Sequence, residues 1–201
     1  SRAGGTNWPG GSLDPETGII YLYTYTQVVS LGLINDPERS EMNFIRGRAS
    51  EVSAREAALS IDGIPIIKPP WGRITAIDLN QGEILWQVAH GETPDNIRDH
   101  PRLQGVDIPR TGRVGRIGTL NTKTLVIAGE GGMFTTSSGE RGAMLRAYDK
   151  MTGEEVGEVY MPAPQSGSPM TYVLDGVQYI VVAVSGSGES GQLLAYRLPA
   201  D

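Results

Sequence analysis

A repeated turn constrains the fold more than any other feature of the chain. One copy reads Ile74-Thr-Ala76-Ile-Asp78-Leu-Asn-Gln-Gly82-Glu-Ile-Leu-Trp86. A second reads Leu145-Arg-Ala147-Tyr-Asp149-Lys-Met-Thr-Gly153-Glu-Glu-Val-Gly157, with Ala, Asp, Gly and Glu at the same offsets. Leu194-Ala195-Tyr196 opens a partial third copy, and Asp14-Pro-Glu-Thr-Gly18 echoes the turn near the start. Strand, Asp-x-x-x-Gly turn, strand describes a hairpin in which a small Ala permits close packing and Gly accepts the turn geometry. Trp86 adds a large flat surface that wedges against a neighbouring unit. Units of this kind bury their faces only by stacking, and four-stranded units stacked about an axis make a β-propeller.

The rest of the chain agrees with an all-β reading. Strand-length runs rich in β-branched and aromatic residues occur at Ile19–Thr26, Arg73–Leu79, Ile84–Val88, Thr124–Ala128, Leu145–Tyr148, Val177–Val184 and Leu193–Leu198, bounded by Gly, Asp, Asn or Pro. Asp175-Gly176 is a strong hairpin signal, because both residues tolerate positive φ. Only Ser53 and Glu56, a capping box ahead of Ala57-Ala58-Leu59, invite a helix, and Asp36 to about Ile61 reads as a long surface excursion. Gly and Pro make up a fifth of the 201 residues, which favours turns over helix bundles. The net charge of −6 and the lack of any basic run exclude a nucleic-acid-binding face. Cysteine is absent, so thiolate metal sites and disulfides are excluded too.

Two motifs dissolve on inspection. Gly186-Ser-Gly188-Glu-Ser-Gly191 satisfies a dinucleotide fingerprint by letters, but strand-like Gln192-Leu-Leu-Ala-Tyr follows where a helix must start, so it reads as a hairpin loop. His90 and His100 flank Glu92, Asp95 and Asp99 at no metal-ligand spacing, with Pro94 and Pro101 between them, and read as a solvated acidic loop.

Ala-x-Asp-x-x-x-Gly-x-x-x-Trp, at Ala76 to Trp86, resembles the tryptophan-docking motif of the pyrroloquinoline quinone (PQQ)-dependent dehydrogenases, the quinoprotein glucose and alcohol dehydrogenase family. Gly4-Gly-Thr-Asn7-Trp8-Pro, Lys68-Pro-Pro-Trp71-Gly, Gly118-Thr-Leu-Asn-Thr-Lys-Thr-Leu, Ser168-Pro-Met-Thr-Tyr172 and Gly176-Val-Gln-Tyr179-Ile-Val-Val are similar to segments of that family's later blades, in the family's order. The resemblance implies the last part of an eight-bladed propeller. Its strands fall at about 8–30 and 71–90 for one blade, about 114–160 for a second, and about 166–198 for a last blade lacking its outermost strand, with a surface insertion at about 36–61. Such a piece is expected to expose an open blade face and to need the remaining blades as partner.

The resemblance also implies the chemistry: a sugar or alcohol gives hydride to PQQ, a Ca²⁺ polarises the quinone, and a cytochrome or ubiquinone takes the electrons. It places the metal ligands and the catalytic Asp in earlier blades, so no catalytic residue is assigned here. Cofactor contact is implied for Asn7 and Trp8, whose amide and indole N–H suit quinone or carboxylate oxygens; the alternative is a turn cap at Asn7 and inter-blade packing at Trp8. Trp71 either faces the axis or packs. Arg116 stands where relatives place a bulky residue against the cofactor, though methanol-oxidising members have an aromatic there, and Gly118 offers a backbone contact. A periplasmic location is implied by the family alone. Two rival readings remain: a non-catalytic protein-binding propeller, and a short propeller closed by self-association.

Overall fold

The structure, a computed structural model, describes residues 5–6, 8–29, 32–47 and 59–197. Asn7, the capping box at Ser53 and Glu56, and the end of the last predicted strand at Leu198 lie outside the described residues.

Strands β1 (Gly11–Asp14) and β2 (Ile19–Tyr25) form the first hairpin. The chain then leaves for an excursion that carries two small antiparallel pairs, β3 (Gly32–Ile34) with β4 (Ile45–Gly47) and β5 (Ser60–Ile61) with β6 (Ile64–Pro65). It returns as β7 (Gly72–Asp78) and β8 (Glu83–Ala89), completing a four-stranded antiparallel sheet ordered β1-β2-β7-β8. A connection follows with a one-turn helix α1 (Asp95–Arg98) and a 3₁₀ turn at Pro101–Leu103. This helix was not foreseen: it starts directly after Pro94, where the sequence reads as loop.

The second sheet runs β9 (Leu120–Asn121), β10 (Leu125–Gly129), β12 (Arg141–Asp149), β13 (Glu155–Met161), with the short β11 (Phe134–Thr135) pairing the start of β12. The third is β14 (Met170–Leu174), β15 (Val177–Gly186), β16 (Glu189–Arg197), three antiparallel strands. None of the sheets closes on itself, and the architecture is a partial β-propeller. The glycine-rich fingerprint at 186–191 is the β15–β16 hairpin turn, with positive φ at Gly186, Ser187 and Gly188.

The repeat explains the hairpins. In all three Asp-x-x-x-Gly turns the Gly N–H donates to the Asp carbonyl, as Gly18 to Asp14, Gly82 to Asp78 and Gly153 to Asp149. The Asp carboxylate accepts a backbone N–H two residues on, from Glu16, Asn80 or Met151. Both full copies also carry a register shift at the same repeat position, between Ala76 and Ile77 and between Ala147 and Tyr148. A bulge adds twist, so repeating it keeps the two sheets alike in shape.

Burial shows how the sheets stack. Alternate residues of β2, Ile19, Tyr21, Tyr23 and Tyr25, face a core shared with Ile74, Ala76 and Trp86 of their own sheet and Val126, Ala128 and Tyr148 of the second. The opposite face of the second sheet gives Ile127, Ala143 and Leu145 to another core with Val182 and Val184 of β15. The middle sheet is thus buried on both sides, which is why β10 reads as an uninterrupted apolar run.

Candidate functional site at the meeting of three sheets

The first residues of the three sheets converge. Gly118, just ahead of β9, is packed so closely that a Cβ there would lie 2.2 Å from Ser168 Oγ and 2.9 Å from Cβ of Pro9. Glycine is therefore required by the approach of the segments leading into β1 and β14, not only by a ligand. Neighbouring Thr119 ties the first two sheets together: its hydroxyl donates to the Tyr21 carbonyl (3.0 Å) and pairs with Ser12 Oγ (2.8 Å).

Beside this junction, at the ends of β2, β10 and β15, opens a cleft of about 510 Å³. Its wall contains Arg116, the amides of Gln27 and Gln165, the hydroxyls of Tyr25, Ser166, Ser185 and Ser187, and the backbone at Gly115, Gly131 and Gly186. Among the described residues that line it, Arg116 is the one cation and none is a carboxylate. Such a wall offers hydrogen-bond donors and positive charge, and suits a flat ligand edged with carboxylate and carbonyl oxygens. The chemistry of PQQ, an ortho-quinone bearing carboxylates, fits this donor set.

Trp71 lies in a second cleft of about 290 Å³, roofed by residues of the excursion such as Leu59, Pro65 and Ile66 and meeting the first at Gln27 and Val114. Its ring is buried and its Nε1 donates to the Ile67 carbonyl (3.0 Å), so the indole N–H is already engaged. Trp8 is 92% exposed in this chain. Of the five residues the sequence singled out, Arg116 and Gly118 come together, Trp71 stands in the adjoining cleft, Trp8 precedes the Pro9 that touches Gly118, and Asn7 is outside the described residues.

Behind the clefts lies a charge network that the sequence reading missed. Arg146 is buried in the second sheet, with Nε 2.7 Å from Glu130 Oε1, and further pairs to Glu155 (2.7 Å), Glu158 (2.6 Å) and Glu92 (3.5 Å). Burial pushes the Glu130 carboxyl up, and Arg146 pulls it back. Arg113, over the Phe134 ring at 5.8 Å, is pushed down by burial, and its Nε and Nη2, like Glu130 Oε2, are enclosed without a hydrogen-bond partner. The visible signal was a charge set between Leu145 and Ala147 in an apolar strand, where the first repeat copy has Thr75.

The acidic loop also needs correction at its first residue. His90 is buried, not solvated: Nε2 faces the Gly129 carbonyl (3.0 Å) and Nδ1 the Tyr148 hydroxyl (2.8 Å). A carbonyl only accepts, so the ring carries its proton on Nε2 and accepts from Tyr148 at Nδ1. Burial pushes its pKa down to about 4. His100 is far more open, accepting from the Arg102 N–H at the 3₁₀ turn. Among the described residues no group of three or more His, Asp or Glu could hold a metal ion.

A partial propeller built of docking-motif blades is the fold to which the comparisons with known proteins also point. Residues 1–180 match the family described as "PQQ: Glucose/ethanol/alcohol dehydrogenase, beta-propeller domain", and the chain belongs to that family of PQQ-dependent quinoprotein dehydrogenases. It is 27% identical to quinoprotein glucose dehydrogenase A of Acinetobacter calcoaceticus over 96% of this chain and 24% of that protein. It is 31% identical to the glycerol dehydrogenase large subunit of Gluconobacter thailandicus over 98% of this chain and 29% of that protein. Among solved structures, a quinohemoprotein alcohol dehydrogenase of Pseudomonas putida HK5 superposes with a TM-score of 0.57 at 22% identity, covering 94% of this chain and 23% of that one. The chain spans about a quarter of the length of these curated relatives.

Proposed function

We propose that this chain forms part of the cofactor-pocket wall of a PQQ-dependent dehydrogenase that oxidises a sugar or alcohol, the catalytic base and metal ligands lying in blades beyond it. The observation that carries this is the cleft beside Gly118, whose described lining residues include Arg116, amides and hydroxyls but no carboxylate. PQQ, when bound, supplies the quinone that accepts hydride from the substrate carbon. The Arg116 guanidinium neutralises a ligand carboxylate, while Ser166, Ser185 and Ser187 provide adaptable hydroxyl partners. Buried Trp71, its N–H held by Ile67, gives the neighbouring cleft a rigid wall.

Exposed apolar residues on the outer face of the third sheet, Met170, Leu174 and Leu193, support the reading that further blades cover that face. Family membership supports a bound Ca²⁺, a periplasmic setting and a cytochrome or ubiquinone acceptor; one relative is named 1-butanol dehydrogenase (cytochrome c). The test is PQQ titration of the complete natural protein, followed by quinone-dependent dye reduction with sugars and alcohols in the presence of Ca²⁺. Saturable binding, weakened about tenfold or more in Arg116→Ala, is expected. A complete protein that neither binds PQQ nor reduces dye would instead be a non-catalytic propeller scaffold.

A further inference from the structure

Gln165 has an arrangement that packing alone does not require. Its segment joins two sheets: the Gln165 N–H donates to the Glu130 carbonyl (2.9 Å), while Ser166 and Pro164 pair with Ala183 and Ser185 (both 2.9 Å). The side chain turns away from β15 into the second sheet. Oε1 accepts from the Gly129 N–H and Nε2 donates to the Gly118 carbonyl (2.9 Å). Both partners have fixed polarity, so only a side chain that accepts at one atom and donates at the other satisfies them. The side chain is buried, yet the residue belongs to the wall of the 510 Å³ cleft, in the connection between β13 and β14 and in direct contact with the segment that carries Arg116. A buried carbonyl deprived of its donor keeps its full desolvation penalty and relaxes toward water.

We propose that Gln165 is a positioning residue that fixes the 116–118 wall, and with it the Arg116 backbone, for binding of the quinone cofactor. The inference rests on the PQQ reading above. It acts through Gly118 and does not itself need to touch the ligand. Gly129 belongs to the same device, because a Cβ there would stand 2.8 Å from Gln165 Oε1.

The test is PQQ titration by tryptophan-fluorescence quenching of the complete natural protein, its Gln165→Glu variant and its Gln165→Met variant, with melting temperatures in parallel. An ionised carboxylate still accepts from Gly129 but cannot donate to Gly118, whereas the neutral acid does both, and burial raises the pKa of the introduced carboxyl. Gln165→Glu is therefore expected to bind PQQ roughly tenfold or more weakly at about pH 8 and to recover relative to wild type by about pH 5.5. Gln165→Met should bind weakly at both. Arg116 and Tyr25 are the other ionisable side chains among the described residues of this wall, with His90 and Glu130 facing the Gln165 and Gly129 backbone from behind, and the wild-type titration carries their contribution equally. Wild-type affinity in both folded variants, with only the melting temperature lowered, would overturn the positioning role. In the wild-type protein, PQQ should further slow hydrogen exchange at the Gly129 amide; an unchanged rate in a protein that binds PQQ overturns the role without any variant. If the wild-type protein shows no PQQ binding at all, the cofactor reading fails first and takes this inference with it.

Discussion

At His90 both ring nitrogens are committed, one to the Gly129 carbonyl and one to the Tyr148 hydroxyl, in the buried interior. A proton added to the ring would sit near Arg146 and Arg110, opposed by Glu155. The folded pKa of about 4 lies below the ordinary value of 6.5. The unfolded chain therefore takes up the proton first. The stabilisation is complete above about pH 6.5 and is lost as the pH falls toward 4, by up to about 3 kcal/mol. Urea denaturation at several pH values checks this, and His90→Gln should flatten that part of the profile. Arg146 makes the second residue-scale prediction. Arg146→Met strands Glu130 in the interior and should cost about 3–5 kcal/mol, much of which Arg146→Met with Glu130→Gln recovers in a denaturant double-mutant cycle. Neither residue was legible as a partner in the sequence. Glu130, Glu155 and Glu158 reach Arg146 from neighbouring strands of its own sheet and Glu92 from the exit of the first sheet, and no spacing rule in the sequence reports strand register or stacking.

Elements were far more legible, because the repeat carries its own geometry. Trp86 was read as blade packing, and its buried ring donates from Nε1 to the Lys150 carbonyl in the next sheet's turn (3.0 Å). Gly153 of that turn sits beneath the indole, with a Cβ position only 2.7 Å from it, whereas Gly82 in the equivalent turn of the first sheet faces open space. Both adopt positive φ, of 75° and 72°. Gly82→Ala should therefore cost only backbone strain, about 1 kcal/mol, and Gly153→Ala distinctly more, because the ring must also move. Paired melting curves decide it; equal losses would deny the ring's role. The strands β1, β13 and β14 were only partly visible. They are short or mostly exposed, with no alternating apolar face, and what defines them is the partner strand. Helix α1 was invisible because four residues give no periodicity.

For the whole molecule, the family and the propeller were readable from docking motifs, while the clefts were not. Arg116, Gln165 and Ser185 lie in three separate stretches and meet only when sheets stack. The third sheet leaves Leu193 76% exposed on its outer face, with Met170 and Leu174 also open there. The 201-residue chain on its own should self-associate through that face, with sedimentation velocity showing species above 21.5 kDa. Leu193→Lys with Leu174→Lys should shift the distribution toward monomer; an unchanged distribution would point to another surface.

The middle sheet, covered on both faces, has a consequence for the order in which the molecule opens. Its amides in β10 and β12 can reach solvent only when both flanking cores have come apart, whereas those of β14 and β16 need lose only one neighbour. Local opening should then proceed inward from the flanks, as separate cooperative units of rising free energy. The second sheet would be the last to let go, and would set the lifetime of everything attached to it.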